Sequence, residues 1–162
     1  MLPSSVSLLT ALRLSPTFEF ESACSLASLS QIPSLHNTTL FEATIVPAGS
    51  QLQFPDTDTS CGASSQVVLA DICRITLEVE TSSTSKINME AWLPRNWTGR
   101  FLSTGNGGLN GCIKYQDLVY TTSLGFATVG ANNGHNGTSG AGFKNDPEIV
   151  NDFAYRSYVL SS

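Results

Sequence analysis

Residues 101–108 read Phe101-Leu102-Ser103-Thr104-Gly105-Asn106-Gly107-Gly108, a short β-type run that ends in a glycine-rich turn. Glycines after a strand let the backbone approach a ligand and let several N–H groups point at one spot. One chemistry that needs such a cradle is acyl transfer. The carbonyl oxygen under attack gains negative charge, and backbone donors stabilise it by roughly 3–4 kcal/mol each. From the glycines alone, a turn without a ligand is the simpler reading. A dinucleotide-binding loop is excluded by spacing. The third glycine of G-x-G-x-x-G would fall where Asn110 stands, and the following apolar run at 126–131 carries no acidic residue.

No nucleophile elbow of the form G-x-S-x-G is present. The nearest string, Gly137-Thr138-Ser139-Gly140-Ala141, lacks the last glycine and lies in a polar loop without a buried strand before it. Ser139 is therefore not read as a nucleophile. His135 follows Asn132-Asn133-Gly134 at the end of an apolar run. It precedes any plausible serine, whereas a base in this type of triad follows the serine in the chain. It is read as a polar loop contact. His36 adjoins a glycosylation acceptor and is read as solvent-facing.

The elements that would position these residues follow from periodicity. Residues 23–29 read as a short helix carrying Cys24. Residues 40–46 read as a strand, closed by Pro47-Ala48-Gly49 and followed by a second strand at 50–54 and a polar loop at 55–65. Residues 72–81 alternate in period two, with Ile72, Arg74, Thr76, Glu78 and Glu80 on one face and Cys73, Ile75, Leu77 and Val79 on the other. A Ser/Thr turn at 82–85 returns the chain into 87–93, which makes a hairpin. Residues 100–103 form a short strand before the glycines. A helix over 117–124 stops at Gly125, and 126–131 is an apolar, β-branched run of the buried kind. Residues 132–144 are a Gly/Asn-rich loop, and Asp152 is placed to cap a final helix from Phe153. Hairpin, strand, glycine loop, helix, buried strand and helix start together suit the opening half of an α/β sheet.

The 162 residues suffice for one cored domain; 41% are hydrophobic and only 13% charged, with a net charge of -5. The Lys and Arg residues are spread singly, so nucleic acid is not expected as a partner. No apolar run approaches a membrane span. Residues 6–14 are moderately apolar but interrupted by Arg13, with no basic stretch before them, which is a poor signal peptide. Cys24, Cys61, Cys73 and Cys112 form no CxxC pair, so zinc is rejected and disulfides are expected, in one of three pairings. Acceptors for N-glycosylation stand at Asn37, Asn96 and Asn136. With an even cysteine number they point to the secretory route.

Three segments in this order resemble the tannase/feruloyl esterase family. They are Trp97-Thr98-Gly99-Arg100-Phe101-Leu102 leading into Gly105-Asn106-Gly107-Gly108; Gly125-Phe126-Ala127-Thr128-Val129 leading into Asn132-Asn133-Gly134-His135; and Asp152-Phe153-Ala154-Tyr155-Arg156-Ser157. The similarity runs from about Cys24 to Ser157. It implies an α/β-hydrolase fold, with residues 1–23 a leader or disordered extension and 24–162 the N-terminal portion of an esterase domain, truncated before the nucleophile elbow. It implies hydrolysis of phenolic-acid esters, feruloyl or galloyl, by a secreted serine enzyme through an acyl-enzyme. The catalytic Ser, Asp and His and the family's calcium are expected beyond residue 162, which leaves this chain inactive alone. Only Gly105, Asn106, Gly107 and Gly108 carry over, as the oxyanion loop. The resemblance also implies the pairs Cys24–Cys73 and Cys61–Cys112, and it leaves the strand at 126–131 as the uncovered edge of the sheet. The alternative is a small secreted non-enzymatic glycoprotein or binding module that uses the same loop.

Overall fold

The computed structural model describes residues 19–32, 37–62 and 64–155. The apolar stretch at 6–14 and His36 lie outside them. Two helical turns open the described chain, α1 (Phe20–Ala23) and α2 (Leu26–Leu29). The expected helix over 23–29 is thus split, and Cys24 sits at the break. Ser25 is the reason: it adopts extended backbone and caps α2, its hydroxyl accepting from the Ser28 N–H. Part of the stretch assigned to a leader is also built in, since Phe20 is buried against Cys24, Cys73 and Ile75.

The strands are β1 (Thr38–Val46), β2 (Gln51–Gln53), β3 (Ser65–Val67), β4 (Ile72–Glu80), β5 (Lys86–Pro94), β6 (Arg100–Ser103) and β7 (Phe126–Ala131). Helix α3 (Tyr115–Ser123) joins β6 to β7, and α4 (Pro147–Tyr155) ends the described chain. The main sheet has the order β1-β4-β5-β7-β6, and β2 and β3 form a separate pair. The polar stretch at 55–65 is therefore not all loop. It holds a 3-10 turn at Thr59–Cys61 and ends in β3.

The expected hairpin of β4 and β5 is present, with Cys73 opposite Leu93 and Arg74 opposite Trp92. Its two faces serve two cores. Cys73, Ile75 and Leu77 pack under α1 and α2. Ile72 and Trp92 face the other way, into a core with Phe54, Val68, Tyr115, Leu118 and Val119. Helix α3 supplies the last three from one face, at the spacing an amphipathic helix requires.

The chain pairs β7 antiparallel with β5 and parallel with β6. The fold is therefore the expected α/β type, with an antiparallel hairpin leading into a parallel pair. The expected uncovered edge is corrected: β7 is paired on both sides, and the edge strands of the main sheet are β1 and β6. The crossover through α3 inserts β7, whose Ala127, Thr128 and Ala131 are buried, into the interior position. Strand β6, with Phe101 63% exposed, is left outside.

Asp152 is also corrected. It does not cap a helix; it lies within α4, is 1% exposed, and accepts hydrogen bonds from the hydroxyls of Thr81 and Ser85 in the β4–β5 turn. The helix starts earlier, at Pro147, a residue suited to a first helical turn.

Candidate functional site

Residues 104–112 leave the C-terminal end of β6 and cross the end of β7. Thr104 starts the loop; its N–H and its hydroxyl both donate to the Val129 carbonyl, at 2.8 and 3.1 Å. Asn106 donates from Nδ2 to the Ala131 carbonyl at 2.9 Å. At the far end the Cys61–Cys112 disulfide ties the loop to the 3-10 turn. Between these anchors Gly105, Gly107 and Gly108 are exposed. The N–H groups of Gly105, Asn106, Gly107 and Gly108 donate to no acceptor among the described residues. A strand end with four such donors is chemically suited to an anionic oxygen.

The segment after β7 packs against this loop. Asn133 donates from Nδ2 to the Asn110 carbonyl at 2.6 Å, and His135 Nε2 lies 3.0 Å from the Leu109 carbonyl. The Gly111 N–H donates to the Gly137 carbonyl at 2.9 Å. Two glycines make the approach possible. A Cβ on Gly111 would collide with the His135 carbonyl, and one on Gly134 would collide with the Asp152 carboxylate. His135 is thus a half-buried contact to the glycine loop. Ser139 caps the 3-10 turn Gly140–Phe143, its hydroxyl accepting from the Ala141 N–H at 3.1 Å, and no base among the described residues hydrogen-bonds it.

Beneath the loop lies a buried polar cluster that the sequence reading did not single out. Glu90, 5% exposed, accepts from Arg74 Nε at 2.8 Å and Nη2 at 2.5 Å, from Trp92 Nε1 at 2.7 Å and from the Tyr115 hydroxyl at 3.1 Å. Burial alone would lower the Arg74 pKa, but the hydrogen bond and charge of Glu90 raise it. Burial, helped by the Glu90 charge, pushes the Tyr115 phenol well above its ordinary range. The Tyr115 ring stacks on Phe54 at 3.5 Å. An open groove of about 460 Å³ runs past Glu42, Arg74, Glu90 and Tyr115 to Cys112. It does not reach residues 105–108. The alternation of β4 places Arg74 on one face with Ile72 and Thr76, but it carries no signal that Glu90 of β5 meets it there.

The structure joins Cys24 to Cys73 and Cys61 to Cys112, the pairing the resemblance implies. Asn37, Asn96 and Asn136 are all exposed. No group of three or more His, Cys, Asp or Glu among the described residues could hold a metal ion. Among the described residues no helix is long and apolar enough to cross a membrane.

The fold is similar to that of solved esterases. The structure matches an esterase from Aspergillus oryzae with a TM-score of 0.78 at 55% sequence identity, covering 85% of this chain and 27% of that one. It matches feruloyl esterase B from Aspergillus oryzae with a TM-score of 0.75 at 48% identity, again covering 85% and 27%. A family model described as tannase and feruloyl esterase matches residues 73–161. The chain belongs to the tannase and feruloyl esterase family. Among curated proteins it is 59% identical over 138 residues to the probable feruloyl esterase B-2 of Aspergillus fumigatus, covering 85% of this chain and 26% of the relative. To the probable feruloyl esterase B-1 of Aspergillus terreus it is 52% identical over 157 residues, covering 95% and 28%. The chain thus spans about a quarter of the length of the curated relatives it matches.

Proposed function

We propose that this chain forms the N-terminal part of a secreted serine carboxylic ester hydrolase that acts on phenolic-acid esters, feruloyl or galloyl. Family membership supports an esterase function. The observation that carries the role of this segment is the set of four backbone N–H groups at 105–108 without an internal acceptor, held at the end of β6. In the proposed reaction a serine hydroxyl loses its proton to a histidine and attacks the ester carbonyl. The alcohol leaves with that proton, and water then releases the phenolic acid from the acyl-enzyme. The loop stabilises the oxyanion in both steps.

On this reading the serine, its histidine and the supporting aspartate lie outside these 162 residues, and the chain alone is inactive. The family's calcium belongs with them, and it enters no step carried by the residues described here. The two disulfides and the exposed acceptors at Asn37, Asn96 and Asn136 support an extracellular protein carrying N-glycans.

A fluorophosphonate probe tests the assignment. It should label the whole esterase and leave the 162-residue chain unlabelled, and turnover of methyl ferulate or methyl gallate should follow the same split. Labelling of the chain at Ser139, abolished by Ser139→Ala, would move the nucleophile into the loop and overturn the reading.

A further inference from the structure

We propose that Asn133 and His135 are positioning residues for this hydrolysis: they hold the Asn110 and Leu109 carbonyls, so that the far end of the glycine loop is fixed and its N–H donors stay in place for the oxyanion. The proposal rests on the ester-hydrolase reading and adds the side chains that shape its donor loop.

Each residue of a loop brings one donor and one acceptor. A loop that cradles an anion must keep its donors in place. Four N–H groups, of Gly105, Asn106, Gly107 and Gly108, have no acceptor among the described residues. Three carbonyls towards the far end of the loop are engaged. That of Gly107 accepts from the Asn110 N–H at 3.3 Å, that of Leu109 meets His135 Nε2 at 3.0 Å, and that of Asn110 accepts from Asn133 Nδ2 at 2.6 Å. A carbonyl only accepts, so the His135 contact requires a hydrogen on Nε2.

Asn133 carries a second indication. Its side chain is 1% exposed, and its Oδ1 has no hydrogen-bond partner among the described residues. A buried acceptor left unsatisfied lowers stability, and an apolar side chain of the same size would avoid that loss. The amide is therefore better explained by what Nδ2 does to the loop than by the fold. Both positioning residues are themselves held. Gly134, between them, packs on the Asp152 carboxylate, which the β4–β5 turn anchors through Thr81 and Ser85. The His135 ring lies edge-on to Phe143 at 5.0 Å, and Phe143 edge-on to Phe153 at 5.7 Å. The loop is thus preorganised by the hairpin turn and α4, before any substrate arrives.

The test uses the whole esterase that carries this segment, with methyl ferulate as substrate. Asn133→Leu and His135→Phe should each lower kcat roughly ten- to hundredfold, as expected for a displaced donor set. KM should stay within about twofold, because the lost interaction forms in the transition state. The melting temperature of Asn133→Leu should stay within about 3 °C of wild type, since the unsatisfied Oδ1 leaves with the amide. His135→Gln, which restores a donor toward Leu109, should recover most of kcat. In 15N-labelled 162-residue chain, the amides of residues 105–108 should shift in Asn133→Leu while those of β4 and β5 stay. Unchanged kcat in both variants overturns the proposal. So does a failure of Asn133→Leu to fold, or a kcat loss that His135→Gln does not rescue. If the wild-type enzyme shows no turnover, the hydrolase reading itself falls. The amide shifts then decide separately whether Asn133 and His135 hold the loop, and unmoved amides refute it.

Discussion

At the residue scale, Tyr115 sits in a buried polar environment. Its phenol is buried over Phe54 and donates to Glu90, whose carboxylate also takes Arg74 and Trp92. Burial and the Glu90 charge raise the phenol's pKa. A raised folded pKa means the stabilisation is fully present below the unfolded value, about 10, and is lost as pH climbs above it. The urea midpoint should therefore fall as pH rises above about 10 in wild type. It should fall less in Tyr115→Phe. At neutral pH that variant should lose about 1 kcal/mol, the usual net worth of one hydrogen bond, because the ring stack remains. An equal alkaline drop in both proteins would assign the sensitivity to another group. Glu90 shows why such a cluster holds together: Arg74 Nε and Nη2, Trp92 Nε1 and the Tyr115 hydroxyl all reach the same carboxylate.

At the scale of elements, the two disulfides act on different layers. Cys24–Cys73, with a sequence separation of 49, clamps α1 and α2 onto β4. Cys61–Cys112, with a separation of 51, clamps the 3-10 turn onto the far end of the glycine loop. The chain-entropy model gives a loop of that length roughly 4 kcal/mol. Replacing Cys61 and Cys112 together by Ser should cost about that much in urea unfolding. It should also speed amide exchange at Asn110 and Gly111, next to the severed bridge. Non-reducing peptide mapping should recover the Cys61–Cys112 peptide, and recovery of a Cys24–Cys61 peptide would contradict the pairing. Helix α4 is held differently, through one buried carboxylate on two hydroxyls, which is why Asp152 sits within the helix instead of at its start.

At the scale of the molecule, β6 is the vulnerable edge. It pairs only with β7 among the described strands, and it presents Phe101 at 63% and Leu102 at 37% exposure. An edge with unpaired N–H and C=O groups beside apolar side chains is a template for another strand. The 162-residue chain should therefore associate as concentration rises, measured by size-exclusion chromatography with light scattering. Phe101→Lys should shift it towards monomer, since a charge on an edge strand opposes pairing. A wild-type chain that stays monomeric at all concentrations would show that the edge is protected.

Several features of this protein were settled by local sequence. The β4–β5 hairpin follows from strict alternation around a Ser/Thr turn, and β6, α3 and β7 follow from period and from the glycines that bound them. The glycine loop was legible because few other residues allow that backbone density. The family was legible from three short strings in order. Tertiary structure decided the rest, because it depends on contacts far apart in the chain. Phe126 to Ala131 reads as buried, but no local signal says that β7 enters between β5 and β6 and leaves β6 at the edge; that follows from the crossover of α3. Asp152 has the composition of a cap, yet the hydroxyls of Thr81 and Ser85, some 70 residues earlier, draw it into the interior. Arg74 looks like a surface residue of an alternating strand until Glu90, opposite Thr76, neutralises it under Tyr115. Asn133 and His135 are plain loop residues in sequence. Only the fold brings them onto the carbonyls of Asn110 and Leu109, because β6 and β7 run parallel and end side by side.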